Sequence, residues 1–447
     1  MNQESQGPKK AGNTQDFPVL QMAIDVMNQR RALELANEGV KGGVDWLEAG
    51  TPLIKSEGMN VVRELKRSHR DKVIVADMKT MDVGSMETAM AARSGADVVC
   101  ILGLASNETI LEAKRAGEKY GAKIMIDLLE VEDKAKRAAE LEELGVDYVC
   151  IHVSIDAQMV GKGPAEYIRD IKAACSLPLA VAGGINSETA GEMISAGADI
   201  LIVGGALTKS DDIPKAALTL KKAMATGERI ESSLFKKYGA LEIRKAFEQV
   251  SVPNIADAAH REGVMVGLYP LKKGYIREHK IIGPAYTVRT INGDWAKAVE
   301  AIDSAKPGDV LVIDAQGGRI AVWGELASWS SKMRGISGVV IDGAIRDIDD
   351  IIAMDFAAFS RYQVPNAGEP RGHGEMAVEI ECGGQKVRPG DWVVGDDSGL
   401  IVVPKERAQE IANRALDVME RESRYREEIK RGSTLSAVLE LHKWEKV

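Results

Sequence analysis

Apolar residues in the first half of the chain fall into short runs, separated by longer stretches where apolar and charged positions alternate with helical spacing. Glu87 to Ser94 and Ala135 to Leu144 read as helices, while Asp97-Val98-Val99-Cys100-Ile101 and Asp147-Tyr148-Val149-Cys150-Ile151 read as buried strands. The passage from helix to strand carries one signature four times: Gly43-Val44-Asp45, Gly95-Ala96-Asp97, Gly145-Val146-Asp147 and Gly197-Ala198-Asp199. The steps between copies are 52, 50 and 52 residues. In each copy glycine ends a helix and the chain turns into a strand.

Fifty residues exceed one β-α unit, and further short strands stand midway: Leu20 to Val26, Val73 to Met78, Lys123 to Leu128 and Leu179 to Ala182. Eight strands alternating with helices between about Phe17 and Ala225 predict an α/β fold, a closed parallel (β/α)₈ barrel of the TIM type, with functional residues where strands end. After Ala225 the rhythm stops. Residues 227–234 read as a polar linker between the barrel at 17–226 and a second domain at 235–430, with tails at 1–16 and 431–447. Dense turn signals such as Lys306-Pro307-Gly308-Asp309 and Arg388-Pro389-Gly390-Asp391, with strands such as Val310 to Asp314 and Leu400 to Val403 between them, predict a mixed α/β domain. Lys405 to Lys430 reads as a solvated closing helix.

Composition narrows the partners. A length of 447 residues suits two or more domains, and 45% hydrophobic residues provide enough material for their cores. A net charge of −9 argues against a general nucleic-acid binder. Cys100, Cys150, Cys175 and Cys382 lie far apart without a C-x-x-C pair, which points to a reducing cytoplasm. The polar stretch before Phe17 does not resemble a signal peptide, and the strongest apolar run, Val98 to Ala105, is too short to cross a bilayer. No membrane partner is expected.

The proposed strand ends carry Asp25, Glu48, Asp77, Lys79, Asp82 and His152. Each has a structural reading as well: Asp25 as a helix cap, Glu48 as a lysine partner, His152 as a core histidine. Together they form the convergent polar set from which barrels build active sites. Asp77-Met78-Lys79-Thr80-Met81-Asp82 is the most specific element, a D-x-K-x-x-D that sets two carboxylates around an ammonium directly after Val73-Ile74-Val75-Ala76. This segment resembles the third-strand motif of the orotidine 5′-monophosphate decarboxylase superfamily, and within it the 3-hexulose-6-phosphate synthases. Gln21-Met22-Ala23-Ile24-Asp25, the stretch from Leu47 to Gly58, and His152-Val153-Ser154-Ile155-Asp156-Ala157-Gln158 extend the resemblance over nearly the whole barrel.

That resemblance implies a Mg²⁺-dependent aldol reaction, with Mn²⁺ as the alternative metal, between formaldehyde and ribulose 5-phosphate in either direction. Glu48 is a carboxylate where the metal-free decarboxylases carry lysine, so Glu48 and Asp77 are the implied metal ligands. Asp25, Lys79, Asp82 and His152 are the implied catalytic set, with His152 as base. Gly183 and Gly184 after the seventh strand, and Gly204 and Gly205 after the eighth, are expected to bind the substrate phosphate through exposed N–H groups. A glycine expected near the sixth-strand histidine is missing from His152-Val153-Ser154-Ile155. The related 3-keto-gulonate-phosphate decarboxylases share the carboxylates and are the competing reading. The superfamily further implies a barrel dimer in which Asp82 reaches the neighbour's site.

In the second half, Gly324-Glu325-Leu326-Ala327 and Asp342-Gly343-Ala344-Ile345-Arg346-Asp347 resemble the 4-hydroxy-4-methyl-2-oxoglutarate aldolase family, which also contains regulators of ribonuclease E. The resemblance runs from Leu241 to Pro404 and implies a swivelling α/β/β domain that assembles as a trimer. Combined with a barrel dimer, this suggests a hexamer. In the aldolases the arginine grips a 2-oxo acid's carboxylate and the aspartate helps to hold a metal, roles that fall on Arg346 and Asp347. Glu325 stands where the aldolases are expected to carry aspartate. A non-enzymatic, ribonuclease-binding role is the alternative. His373, in Gly372-His373-Gly374, reads as a loop histidine.

Overall fold

The computed structural model describes residues 17–154, 158–159, 163–232, 236–271, 274, 280–430, 432–439 and 441. The two tail segments at 1–16 and 442–447, the motif residues Ile155, Asp156 and Ala157, and linker residues 233–234 with Phe235 lie outside them. The chain forms two compact units, passing from the first to the second between Lys236 and Lys237.

The first unit is a closed barrel of eight parallel strands: β1 (Val19–Ile24), β2 (Trp46–Ala49), β3 (Val73–Thr80), β4 (Val98–Leu102), β5 (Lys123–Asp127), β6 (Tyr148–His152), β7 (Leu179–Ala182) and β8 (Ile200–Val203). β1 closes the circle by pairing with β8, Met22 opposite Val203. The expected β1 is shorter than its apolar run suggested, so Asp25 falls just beyond it, while β3 extends through Lys79 to Thr80. Leu20, Leu47, Ile74, Val99 and Ile126 face outward into the layer shared with the helices. Val19, Ala23, Trp46, Val75, Met125 and Tyr148 fill the barrel interior.

The four repeated aspartates act alike. Asp45, Asp97, Asp147 and Asp199 each stand just before an even-numbered strand and accept the backbone N–H of Leu20, Ile74, Ile124 and Leu179 at 2.8–2.9 Å. Each carboxylate therefore fastens the first residues of the preceding odd-numbered strand at the barrel's N-terminal end. Lys66, Lys172 and Lys221 neutralise three of them with Nζ–Oδ distances of 2.8–3.1 Å. The repeat is a stability device at the face opposite the chemistry.

The second unit is mixed α/β. Strands Ala358–Gln363, Gly338–Ile345, Val310–Asp314 and Ile281–Arg289 lie side by side in parallel; from Ile281–Arg289 the sheet continues antiparallel through Trp392–Asp396 and Gly399–Val403 to Val264–Met265. The helix Ala408–Lys430 corrects one expectation. It is not solvated all round, because Ala408, Ile411, Ala412, Ala415 and Leu416 pack into a core with Phe247, Ile255 and Val403. Its many charges occupy the remaining faces. Among the described residues, no helix is long and apolar enough to cross a membrane, and the four cysteines are free and buried.

Candidate active site

The barrel gathers at its C-terminal mouth most of the residues expected there. Asp25 follows β1, Glu48 lies on β2, Asp77 and Lys79 on β3, and His152 ends β6. Asp25 lies at the rim, reaching solvent on one side while protein encloses the rest and weakens its hydration; a Cβ on Gly50 would stand 2.1 Å from its Oδ1, and one on Gly204 would make ordinary contact with its Oδ2 at 3.6 Å. Glu48 is buried and accepts a 2.6 Å hydrogen bond from Gln21 Nε2. Asp77 is held from β2's side by Thr51, whose hydroxyl donates to its Oδ2 at 2.7 Å and lies 2.9 Å from its backbone carbonyl.

Lys79 takes its place through the backbone. The β3–β4 register shifts between Ala76 and Thr80, and Lys79 adopts a left-handed φ of 48°, a strained conformation of the kind that concentrates at functional sites. Its Nζ reaches Asp77 Oδ2 at 3.2 Å and Asp127 Oδ2 at 2.9 Å. Asp127 Oδ2 also lies 2.9 Å from His152 Nδ1, while its Oδ1 accepts the N–H of Leu129. Sequence reading missed Asp127. The signal available was its position as the last residue of β5, the same strand-end criterion that picked out Glu48 and His152.

Charges within this mouth act strongly on one another. Burial, reinforced by Asp77 and Asp25, pushes the Glu48 carboxyl well above the ordinary carboxylate range. Burial and Asp77 raise Asp25, with Lys79 and His152 opposing. Burial works against the charges of Asp127 and Lys79, but the contacts prevail: His152 and Lys79 hold the Asp127 carboxyl below its usual range, and Asp77 with Asp127 holds the Lys79 ammonium above its own. Asp127 therefore remains an anion that fixes the ammonium and sets which imidazole nitrogen faces the mouth.

Glu48 and Asp77 suit a hard divalent cation. Both carboxylates are buried and Asp77 adds to the cost of ionising Glu48, a cost that a positive charge between them would offset, and oxygen donors are what magnesium prefers. Among the described residues no three His, Cys, Asp or Glu side chains form a ready-made cage.

Asp82 does not join this group within the chain. It is exposed, its Oδ1 accepts the N–H of Val83, and it is surrounded in sequence by the exposed Met81, Val83, Met86 and Met90. Both glycine pairs follow their strands as expected. Gly183 and Gly184 have φ of 107° and 69°, and a Cβ on Gly183 would meet Val153's carbonyl oxygen at 2.6 Å. Gly204 and Gly205 open the short helix Gly205–Thr208 after β8.

In the second unit, Arg346 and Asp347 meet at 3.4 Å, and Asp347 Oδ2 accepts the N–H of Glu325 at 3.2 Å. Asp347 has a left-handed φ of 59°, and a Cβ on Gly324 would stand 2.5 Å from its Oδ2, so the glycine makes room for the carboxylate. His373 lies in an exposed loop whose N–H groups at Arg371, Gly372 and His373 converge on the buried Asp294.

The raised Glu48 carboxyl makes metal-free stability depend on pH. Between the ordinary value of 4.5 and its own raised value, the folded barrel holds a proton that the unfolded chain has lost, so stability grows as pH falls through that window. The contribution of Asp127 has the opposite sign, but it is lost only below the ordinary aspartate value of 3.8, outside the window. In EDTA at pH 8, Glu48→Gln should therefore raise the barrel's melting temperature, with the gain shrinking as pH approaches 4.5. A gain that stays constant with pH would contradict this electrostatic account.

Comparison with known proteins matches residues 18–220 to the family described as orotidine 5′-phosphate decarboxylase / HUMPS, and residues 252–402 to the Aldolase/RraA family. A 3-hexulose-6-phosphate synthase of Staphylococcus aureus is 39% identical over 206 residues, covering 46% of this chain and 98% of its own. A crystal structure of 3-hexulose-6-phosphate synthase from Salmonella typhimurium is 31% identical, with a TM-score of 0.45, and covers 47% of this chain and 100% of that one. For the second unit, a Geobacillus kaustophilus structure described as an S-adenosylmethionine:2-dimethylmenaquinone methyltransferase is 30% identical, with a TM-score of 0.31, and covers 34% and 94% of the two chains. The full length of the synthase relative thus falls on the barrel, with its mouth of Glu48, Asp77, Lys79 and His152, and the chain belongs to the orotidine 5′-phosphate decarboxylase / HUMPS family, with an Aldolase/RraA domain fused behind it.

Proposed function

We propose that the barrel is an aldehyde-lyase joining formaldehyde to C1 of ribulose 5-phosphate, or running that reaction in reverse. The observation that carries this reading is the pairing of two metal-suited carboxylates, Glu48 and Asp77, with the linked group Lys79–Asp127–His152 in one mouth. Mg²⁺, or Mn²⁺ in its place, bound by Glu48 and Asp77, supplies Lewis acidity for negative charge on the sugar's C2 oxygen. His152, with Nδ1 turned to Asp127, offers Nε2 as the base that takes the C1 proton. The C–H electrons move into the C1–C2 bond as charge collects on the C2 oxygen. The new bond then forms from C1 to the formaldehyde carbon, the C2 carbonyl is restored, and the former aldehyde oxygen takes the proton back from His152. Lys79 adds a fixed positive charge beside this path, and the glycine pairs after β7 and β8 hold the phosphate.

We further infer that Asp82 serves the site of a second barrel, since it stands apart from its own and lies among exposed apolar side chains suited to a dimer interface. For the second unit, the Arg346–Asp347 pair beside the N–H of Glu325 favours a metal-dependent site for a small 2-oxo acid over a purely binding role.

Three outcomes are expected. Free formaldehyde should disappear when ribulose 5-phosphate is added to the purified protein, EDTA should stop it, and Glu48→Gln should reduce the rate by roughly 100-fold or more. Full activity in a metal-stripped preparation would defeat the reading. Mixing Asp82→Ala with Lys79→Ala chains should restore part of the activity lost in each alone, and no recovery in verified mixed dimers would return Asp82 to its own barrel. Finally, oxaloacetate should lose carbon dioxide faster than with metal alone, and Arg346→Lys should abolish the gain, because an ammonium cannot reproduce the two-pronged grip. A rate equal to the metal-only background, with the protein folded, would favour the regulatory alternative.

A further inference from the structure

Gln21 is a polar residue in an apolar place. It lies on β1 between Val19 and Ala23, which face the barrel interior, and its register partners are Trp46 on β2 and Ile202 on β8. Its side chain is fully buried. Nε2 donates to Glu48 Oε2 at 2.6 Å, whereas Oε1 has no hydrogen-bond partner among the described residues. Packing alone does not account for an amide here. Methionine would fill a similar volume without burying an unsatisfied acceptor, and a stranded carbonyl oxygen is a cost that folds avoid unless the group serves something else.

What the amide serves is Glu48. Among the described residues, Gln21 is the only hydrogen-bond donor found on that carboxylate, and it holds a single oxygen, Oε2. Fixing Oε2 from within the barrel stops the side chain from turning and leaves Oε1 for a ligand. Asp77 is also restrained by a neighbour, Thr51, whose hydroxyl donates to Oδ2, while Lys79 Nζ stands 3.2 Å from Oδ2 and 3.3 Å from Oδ1. We propose that Gln21 is a positioning residue for the metal site: by tying Oε2 of Glu48 it sets the orientation in which that carboxylate meets a divalent cation. The inference rests on the reading of Glu48 as a metal ligand. Groups that orient a ligating side chain influence metal affinity by roughly ten- to a hundredfold.

The test is a titration with Mn²⁺ followed by electron paramagnetic resonance. It uses the full chain carrying Asp347→Asn, so that the second unit's proposed site does not contribute, after dialysis against EDTA. The parent should bind Mn²⁺ and Glu48→Gln should lose it. Gln21→Met should weaken binding by roughly ten- to a hundredfold in a variant that remains folded in EDTA, although losing the one donor to the buried Glu48 carboxylate also lowers its metal-free melting temperature. Gln21→Glu, which keeps length and shape but sets a second carboxylate against Glu48, should weaken binding as well, and it provides the reading if the methionine variant does not fold. Affinity within twofold of the parent in either folded variant overturns the proposal, as does a loss of affinity found only in variants that are unfolded in EDTA. A parent that binds no Mn²⁺ removes the metal reading itself. A parent that binds while Gln21→Met is unaffected removes only the role of Gln21.

Discussion

One ammonium holds the barrel mouth together. Asp25, Glu48, Asp77 and Asp127 converge on one mouth, where burial and neighbouring carboxylates raise the cost of ionising Asp25 and Glu48. Lys79 stands between Asp77 and Asp127 and offsets part of that repulsion. It does so at the expense of a left-handed backbone, a strain the surrounding strands must hold in place. Beyond Lys79, a further positive charge is favoured beside Glu48, whose ionisation burial and its neighbouring carboxylates oppose. The electrostatics of the mouth and the chemistry proposed for it thus follow from the same arrangement.

Support for that arrangement comes from residues that do not face the substrate. Thr51 fixes Asp77, Gln21 fixes Glu48, and Asp127 fixes both Lys79 and His152. Each of these four groups has a neighbour that restricts its rotation, which is how a site reaches reactive geometry before substrate arrives. Gly50 and Gly204 contribute by omission, leaving beside Asp25 the space a side chain would take.

The barrel was legible because two signals coincide: an alternation of short apolar runs with helical stretches, and a repeated aspartate whose purpose the structure explains as a tie on the preceding strand. Site residues were legible where a strand end carried a charge inside a recognisable motif, as with Asp77 and Lys79. Asp127 was missed because a lone aspartate after an apolar run looks the same whether it caps a turn or orients a histidine. Gln21 was quoted within a motif, but nothing in one dimension shows that its amide meets Glu48, 27 residues away. The closing helix was misread for a different reason. Its inward stripe mixes Ile411, Leu416 and Val418 with three alanines and the polar Asn413 and Glu420, so its hydrophobic signal is submerged by the charges around it.

Closure of the barrel has a consequence for its synthesis. β1 is made before the other barrel strands, and one of its two edges finds no partner until β8 is made, roughly 180 residues later. At about 5–20 residues per second, that edge waits on the order of ten seconds or more. Val19 to Ile24 is an apolar run, and an unpaired apolar strand invites pairing with other nascent chains. Residue order along the chain, quite apart from the finished fold, leaves this strand's edge open longest among those of the barrel.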